Sequence, residues 1–234
     1  MKRLATFLPF FFLFIAPQTI FARGEHLEPT RHYDSSNHSI RAYYAKVFSL
    51  LYAGFSSTLL ARCTVLPSFS AEYAWSIERR SDGLHLRTNA LATNLWYAKD
   101  KNVAVVSREV PLEPELAEAA VALFQAAGAE IRAPIEDGFG CDGVTWTLLI
   151  DDGNGTLREG ETWSPPKGSL MLRLTEVCDS LFALPEGKGP SQAELAATVR
   201  VLTADIRAQA GVFPWLGNGV RGLMERLFPK VRPY

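Results

Sequence analysis

Residues 141–150 read CDGVTWTLLI, residues 151–164 read DDGNGTLREGETWS and residues 165–184 read PPKGSLMLRLTEVCDSLFAL. This stretch decides the fold class. Two strand-like runs end at Ile150 and Trp163, with Asp151 to Gly155 between them. Asn154-Gly155 is a dipeptide that accepts positive φ at both central positions of a tight turn, so the two runs form a hairpin. Pro165-Pro166-Lys167-Gly168 breaks the chain, and Ser169 offers a side-chain oxygen to cap a helix. Behind it Leu170, Leu174, Val177, Leu181 and Leu184 recur every three or four positions and make one buried stripe.

Upstream, from Cys63, the period is two. Tyr73, Trp75 and Ile77 alternate with Ala74, Ser76 and Glu78, and Asp82-Gly83 turns the chain into Leu84, Leu86 and Thr88. Asn94 to Lys99 and Val103 to Val110 are further strand candidates. Pro111 to Gly128 predicts a helix with Pro114 in its first turn, Leu116, Ala120, Leu123, Phe124 and Ala127 on its buried face, and Gly128 just past its end. Downstream, Ser191 and Glu194 have the spacing of a capping box, followed by the stripe Leu195, Val199, Leu202 and Ile206. The fold class is therefore α+β, an antiparallel β-sheet packed against helices on one face.

Of the 234 residues 47% are apolar and 21% charged, which rules against wholesale disorder. Lys2 and Arg3 precede an apolar run, Leu4 to Ala16, and Ala22 offers a small residue for cleavage, the pattern of a secretory signal peptide over 1–22. The mature chain then carries 22 basic and 25 acidic residues. It has no basic tract to neutralise phosphates, which excludes nucleic acid as the expected partner.

Residues 23–61 read as a linker leading into an uncharged segment, Val47 to Ala61 (VFSLLYAGFSSTLLA). As a helix its fifteen residues would reach about 22 Å, short of a roughly 30 Å hydrocarbon core. Two readings stay open, a buried or partner-seeking helix and a second signal-like segment with a later start. The core domain spans 62–184 and a C-terminal helical extension 185–234. Weak membrane association through 47–61 or 212–228 is the third function class to weigh, that of an envelope component.

Motifs for chemistry are sparse. The chain has no phosphate loop, dinucleotide fingerprint, G-x-S-x-G elbow or H-E-x-x-H. His26, His32 and His38 are spaced by six, which fits neither a helix face nor a tight loop, and Asp151 to Gly155 lacks the alternating acids and closing Glu of a calcium loop. No metal or cofactor is expected. Glu136, Asp137 and Asp142 lie among glycines, and held a few Å apart they would serve a small extracytoplasmic hydrolase. Loop acids beside glycine more often accept backbone N–H bonds. Nothing in the spacing supports a thiol–imidazole pair of Cys141 with His85.

Cys141 opens the hairpin and Cys178 lies on the helix over it, so a Cys141–Cys178 disulfide is expected. It would close a loop of about 37 residues and contribute roughly 3–4 kcal/mol in the chain-entropy view. Trp163, at the end of the second strand, is expected between the hairpin and its helix. Pro67 cannot donate to a strand ladder and marks an edge or a strand end. Phe69 follows it, and with Glu136, Asp137 and Asp142 it makes a candidate recognition surface.

Arg62 to Phe69 (RCTVLPSF), Glu72-Tyr73-Ala74, Asn94 to Lys99 (NLWYAK), Asp142 to Trp146 (DGVTW), Trp163-Ser164-Pro165 and Gly168-Ser169 together resemble a group of uncharacterised exported bacterial proteins. The resemblance covers about residues 62–184. It departs at Cys141, where the pattern has an apolar residue, and at Val144, where it has a hydroxyl. It implies a periplasmic or extracellular location and the order strands, helix, hairpin, helix, and it brings no activity with it. The expected function is that of an exported non-enzymatic protein that binds a macromolecular partner, an envelope protein above all, as an inhibitor or immunity-type factor.

Overall fold

The computed structural model describes residues 24–31, 36–100, 102–133 and 142–227, with side chains described as far as residue 210. Seven strands, β1 (Glu28–Pro29), β2 (Leu59–Pro67), β3 (Tyr73–Arg80), β4 (Gly83–Leu91), β5 (Val105–Pro111), β6 (Val144–Asp151) and β7 (Leu157–Trp163), form one sheet in the order β1-β7-β6-β2-β3-β4-β5. Every neighbouring pair is antiparallel. The helices are α1 (His38–Leu51), α2 (Pro114–Ala129), α3 (Leu170–Ala183) and α4 (Gln192–Leu227). The α+β class and the antiparallel sheet agree with the sequence pattern.

β2 and β6 meet at the centre, Cys63 opposite Leu148 and Val65 opposite Trp146, although they come from distant parts of the chain. On the first face of the sheet, Ala61, Cys63, Val65, Trp75, Ile77, Leu86, Leu148 and Ile150 pack with Leu116, Leu123 and Phe124 of α2, Leu174 and Leu181 of α3, and Leu195, Val199 and Ile206 of α4. Trp75 is fully buried, its ring 5.2 Å from that of Phe124 and its indole N–H donating to the Cys178 carbonyl at 3.0 Å. The residues that alternate with these, Leu66, Ala74 and Leu91, form a second, smaller core with Val47 and Leu51 of α1. Three helices thus cover one face, and α1 lies on the other.

Local signals place several ends. Ser169 accepts from the Leu172 amide and caps α3. Ser191 and Glu194 bond reciprocally through side chain and backbone ahead of α4. In the β6–β7 turn Asp151 accepts from the Gly153 and Gly155 amides, and Asp152 from those of Asn154 and Thr156. These acids shape the turn.

Other expectations need correction. Gly128 does not end α2, which runs on to Ala129; a Cβ there would meet Ile150 Cδ1 at 3.2 Å, so the glycine lets the helix approach β6 closely. Val47 to Ala61 is not one helix. α1 stops at Leu51, the chain turns at Gly54 (φ 75°), and β2 starts at Leu59, so the apolar run serves a helix end and a strand start. Asn94 to Lys99 is a turn and not a strand. Among the described residues no helix is long and apolar enough to cross a membrane.

The expected bridge from Cys141 to Cys178 is not made at Cys178. That residue is a free, buried thiol on the side of Cys63 of β2, which is also free and buried. Cys178 sits on the buried stripe of α3, which faces the middle of the sheet and not the start of the hairpin. Cys141 lies outside the described residues.

Trp163 is also displaced from its expected place. Thr162 pairs with Trp146 and shares its face, so Trp163 points to the opposite face from α3 and is only half-buried. Two outcomes follow from this packing. In denaturant melts Trp75→Ala should cost about 3–5 kcal/mol and Trp163→Ala about 1–2 kcal/mol; equal losses would contradict the assignment of faces. Burial also pushes the Cys63 thiol well up, and a neutral, enclosed thiol is unreactive. With 3 cysteines in the chain, maleimide should label at most one equivalent, Cys141, in the reduced native protein and all of them in denaturant. Native labelling of Cys63 or Cys178 would show the core to be open there.

Candidate functional site

The second face of the sheet carries a cleft of about 330 Å³ at one end of α1. Its lining comes from α1 (Ile40, Tyr43, Tyr44), the end of β2 and the residue after it (Leu66, Pro67, Ser68), the 94–97 turn (Asn94, Trp96, Tyr97), the approach to β6 and its start (Asp142, Gly143, Thr145) and Trp163. Polar anchors hold these segments. α1 starts where Asn37 accepts from the Ser39 and Ile40 amides, and Tyr43 stands one turn later.

Glu72, fully buried between β2 and β3, accepts from the Tyr43 hydroxyl at 2.8 Å and from the Leu95 amide at 2.9 and 3.1 Å. A buried carboxylate needs several donors, and these come from α1 and from the 94–97 turn, so the two segments are tied together beneath the cleft. Asn94 is a second anchor. Its amide donates to the Pro67 and Ser70 carbonyls, and its oxygen accepts from the Tyr97 amide. This clamps the turn onto the β2–β3 link.

Ser68 is the third anchor. Its hydroxyl donates to the Gly143 carbonyl and accepts from the Gly143 amide, both at 3.0 Å. A side chain at Gly143 would collide with Ser164 Oγ at 2.4 Å and Trp163 Nε1 at 2.7 Å, so this approach admits glycine alone. Ser164 adopts φ 38°, rare outside glycine, with its hydroxyl accepting from the Val144 amide.

Exposed rings stand in the cleft lining and next to it. Phe69 is 68% exposed, Tyr97 61% and Trp96 48%, half of the most exposed large apolar side chains among the described residues. The Phe69 and Tyr97 rings lie nearly parallel, 13° apart in orientation with centroids 6.4 Å apart. Tyr43 meets Trp96 edge-on at 5.2 Å and Tyr44 at 5.4 Å. Exposed apolar side chains gathered in one patch mark a place of contact far better than the same side chains scattered. Asp142 is the one charged residue of the lining among the described residues.

Of the residues singled out in the sequence, Asp142 lines this cleft, and Phe69, which follows the lining residue Ser68, stacks on Tyr97. Glu136 and Asp137 lie outside the described residues. His85 is far along β4, its ring nitrogens 3.1 Å from Asp82 and Glu109 carboxylates. Among the described residues no cluster of His, Cys, Asp and Glu could hold a metal ion. Sequence reasoning missed Tyr43, Tyr44, Glu72, Trp96 and Tyr97. A signal existed for the last two: Asn94-Leu95-Trp96-Tyr97 does not alternate as a half-buried strand should, and it ends in a charged stretch, Lys99 to Lys101.

Comparison with protein-family models, with curated proteins and with solved structures finds no match to this chain.

Burial, with the Glu72 carboxylate as hydrogen-bond partner and neighbouring charge, pushes the Tyr43 phenol far above its ordinary value of 10.0. The unfolded chain therefore releases this proton first, and the contribution of Tyr43 is full below pH 10.0 and is lost as pH rises above it. The melting temperature should fall through this alkaline range, and less steeply in Tyr43→Phe. Parallel curves for the two proteins would show that the phenol is not held as described.

Proposed function

We propose that this chain is an exported, non-enzymatic protein that binds a macromolecular partner through the aromatic cleft. The observation that carries the reading is the combination of three exposed rings, Phe69, Trp96 and Tyr97, with a rigid support of Glu72, Asn94 and Ser68 below them. Leaving such rings in water forgoes the gain of burying them, and fixing their backbone to buried polar anchors pre-pays the ordering that a binding partner would otherwise demand. Aromatic side chains supply much of the energy at protein interfaces, where each brings large contact area for little lost freedom.

The stretches that resemble the exported bacterial group converge on this place. They supply ten of the thirteen lining residues, and α1 adds the other three. Export itself rests on the Lys2-Arg3 start, the apolar run and Ala22. An inhibitor or immunity-type role fits a chain with exposed rings at a concave surface.

The test compares the wild-type chain with Phe69→Ser/Tyr97→Ser. Both rings are exposed, so the variant should keep its melting temperature within a few degrees. Immobilised on beads and exposed to an extract of its own cells, the wild type should retain a partner that the variant loses. Identical retention by the two proteins would remove the cleft as the binding site.

A further inference from the structure

The second face of the sheet already holds one organic cation among rings. Arg62 is buried, and its guanidinium carbon lies 4.6 Å from the centroid of the Tyr52 ring and 5.0 Å from that of Phe55. Those two rings are 6.1 Å apart and inclined at 27°. One guanidinium nitrogen donates to the Ser56 carbonyl at 2.9 Å, and the Glu78 carboxylate supplies the nearby negative charge. A guanidinium over aromatic faces is attracted by the negative charge of the ring face, and its flat shape matches the rings.

At the cleft a second pair of rings, Tyr97 of the lining and its neighbour Phe69, has no cation over it among the described residues. Phe69 and Tyr97 are 6.4 Å apart and inclined at 13°, close to the Tyr52–Phe55 geometry, and both are open to solvent. Asp142 lines the cleft together with Tyr97, and among the described residues no Lys, Arg or His lines it. Glu72 lies beneath with a second carboxylate. The charge of the site is thus of one sign, and the ligand that complements it is positive, flat and partly apolar.

We propose that the cleft takes the guanidinium of an arginine side chain presented by a protein partner, laid over the Phe69 and Tyr97 rings with Asp142 as its counter-charge. This deepens the binding reading above and rests on it. A neutral ligand such as a glycan or a proline-rich segment would use the same rings without Asp142. The one-signed charge of the site and the Arg62 precedent favour the cation.

The probe is the tripeptide acetyl-Gly-Arg-Gly-amide, compared with its citrulline counterpart, which keeps the flat shape, loses the charge and has a carbonyl oxygen in place of one NH2 group. Titration of the purified chain followed by NMR reads weak binding directly. The arginine peptide should shift the resonances of Phe69, Trp96 and Tyr97 and bind roughly tenfold more tightly than the citrulline peptide. Its affinity should fall as salt rises, and Asp142→Asn should weaken it about fivefold and flatten that salt dependence.

Phe69→Ala/Tyr97→Ala should weaken it as well, while the spectrum elsewhere stays that of a folded chain. Equal binding of the two peptides, no measurable binding of either, or arginine binding untouched by both variants would overturn the proposal. If a partner retained by the wild-type chain and lost by Phe69→Ser/Tyr97→Ser contacts the cleft through uncharged groups, the arginine assignment falls and the binding reading stands.

Discussion

Strand β2 runs through the middle of the sheet with Ala61, Cys63 and Val65 turned to one face and Arg62, Thr64 and Leu66 turned to the other, all of them buried. A strand hydrogen-bonded on both edges and covered on both faces must have two sets of partners. α2, α3 and α4 supply the first set, an apolar core that contains Trp75 and Phe124. The second set is harder to supply, because three of the side chains that need covering there, Arg62, Thr64 and Glu78, are polar or charged. α1 and the turn after it solve this with aromatic residues that carry hydroxyls or ring faces. Tyr52 bonds to Thr64 at 2.8 Å, and its ring with that of Phe55 receives Arg62. The position of α1, and with it one wall of the cleft, follows from the need to cover the second face of β2.

The two faces differ in kind. Volume and shape hold the first, where each buried side chain adds contact and apolar area. The second is held by a few directed bonds, and its hydrogen bonding is less complete: Arg62 Nε, Ser76 Oγ and Thr147 Oγ1 are buried there with no protein partner among the described residues. Such atoms cost stability where they stand, so this face contributes less to folding than the area it buries suggests. It has instead a set of fixed rings whose positions depend on Glu72, Asn94 and Ser68. A binding surface needs fixed positions more than it needs stability, and a site so placed can change without loosening the main core.

Much of the fold is legible along the chain because it depends on neighbours within a few residues. The Asn154-Gly155 turn, the Ser169 cap and the Ser191–Glu194 box are local contests between side chain and backbone, decided over three or four positions. Alternation from Cys63 to Leu91 announces strands for the same reason. Phe69 and Asp142 could be marked as surface because Pro67 ends a ladder and glycine surrounds the acid. Trp96 and Tyr97 carry a weaker mark, the missing alternation over Asn94 to Tyr97. Two aromatic residues between apolar neighbours read as a strand, and bonds to distant residues, from the Asn94 side chain to the Pro67 and Ser70 carbonyls and from the Leu95 amide to Glu72, make that segment a turn.

The sequence by itself determined the α+β class, the hairpin, the starts of α3 and α4 and many of the apolar residues that enter a core, since period and capping are properties of adjacent residues. It also held the materials of the cleft. Tertiary structure alone decided which face each strand presents to which helix. That choice put Trp163 on the cleft and not under α3, put Cys178 on the side of Cys63 and not at the hairpin start, and brought α1 and the 94–97 turn to Glu72. These outcomes depend on strand register and on pairings between residues dozens of positions apart. A shift of register by one residue would reverse every face, and no window of neighbouring residues records which register wins.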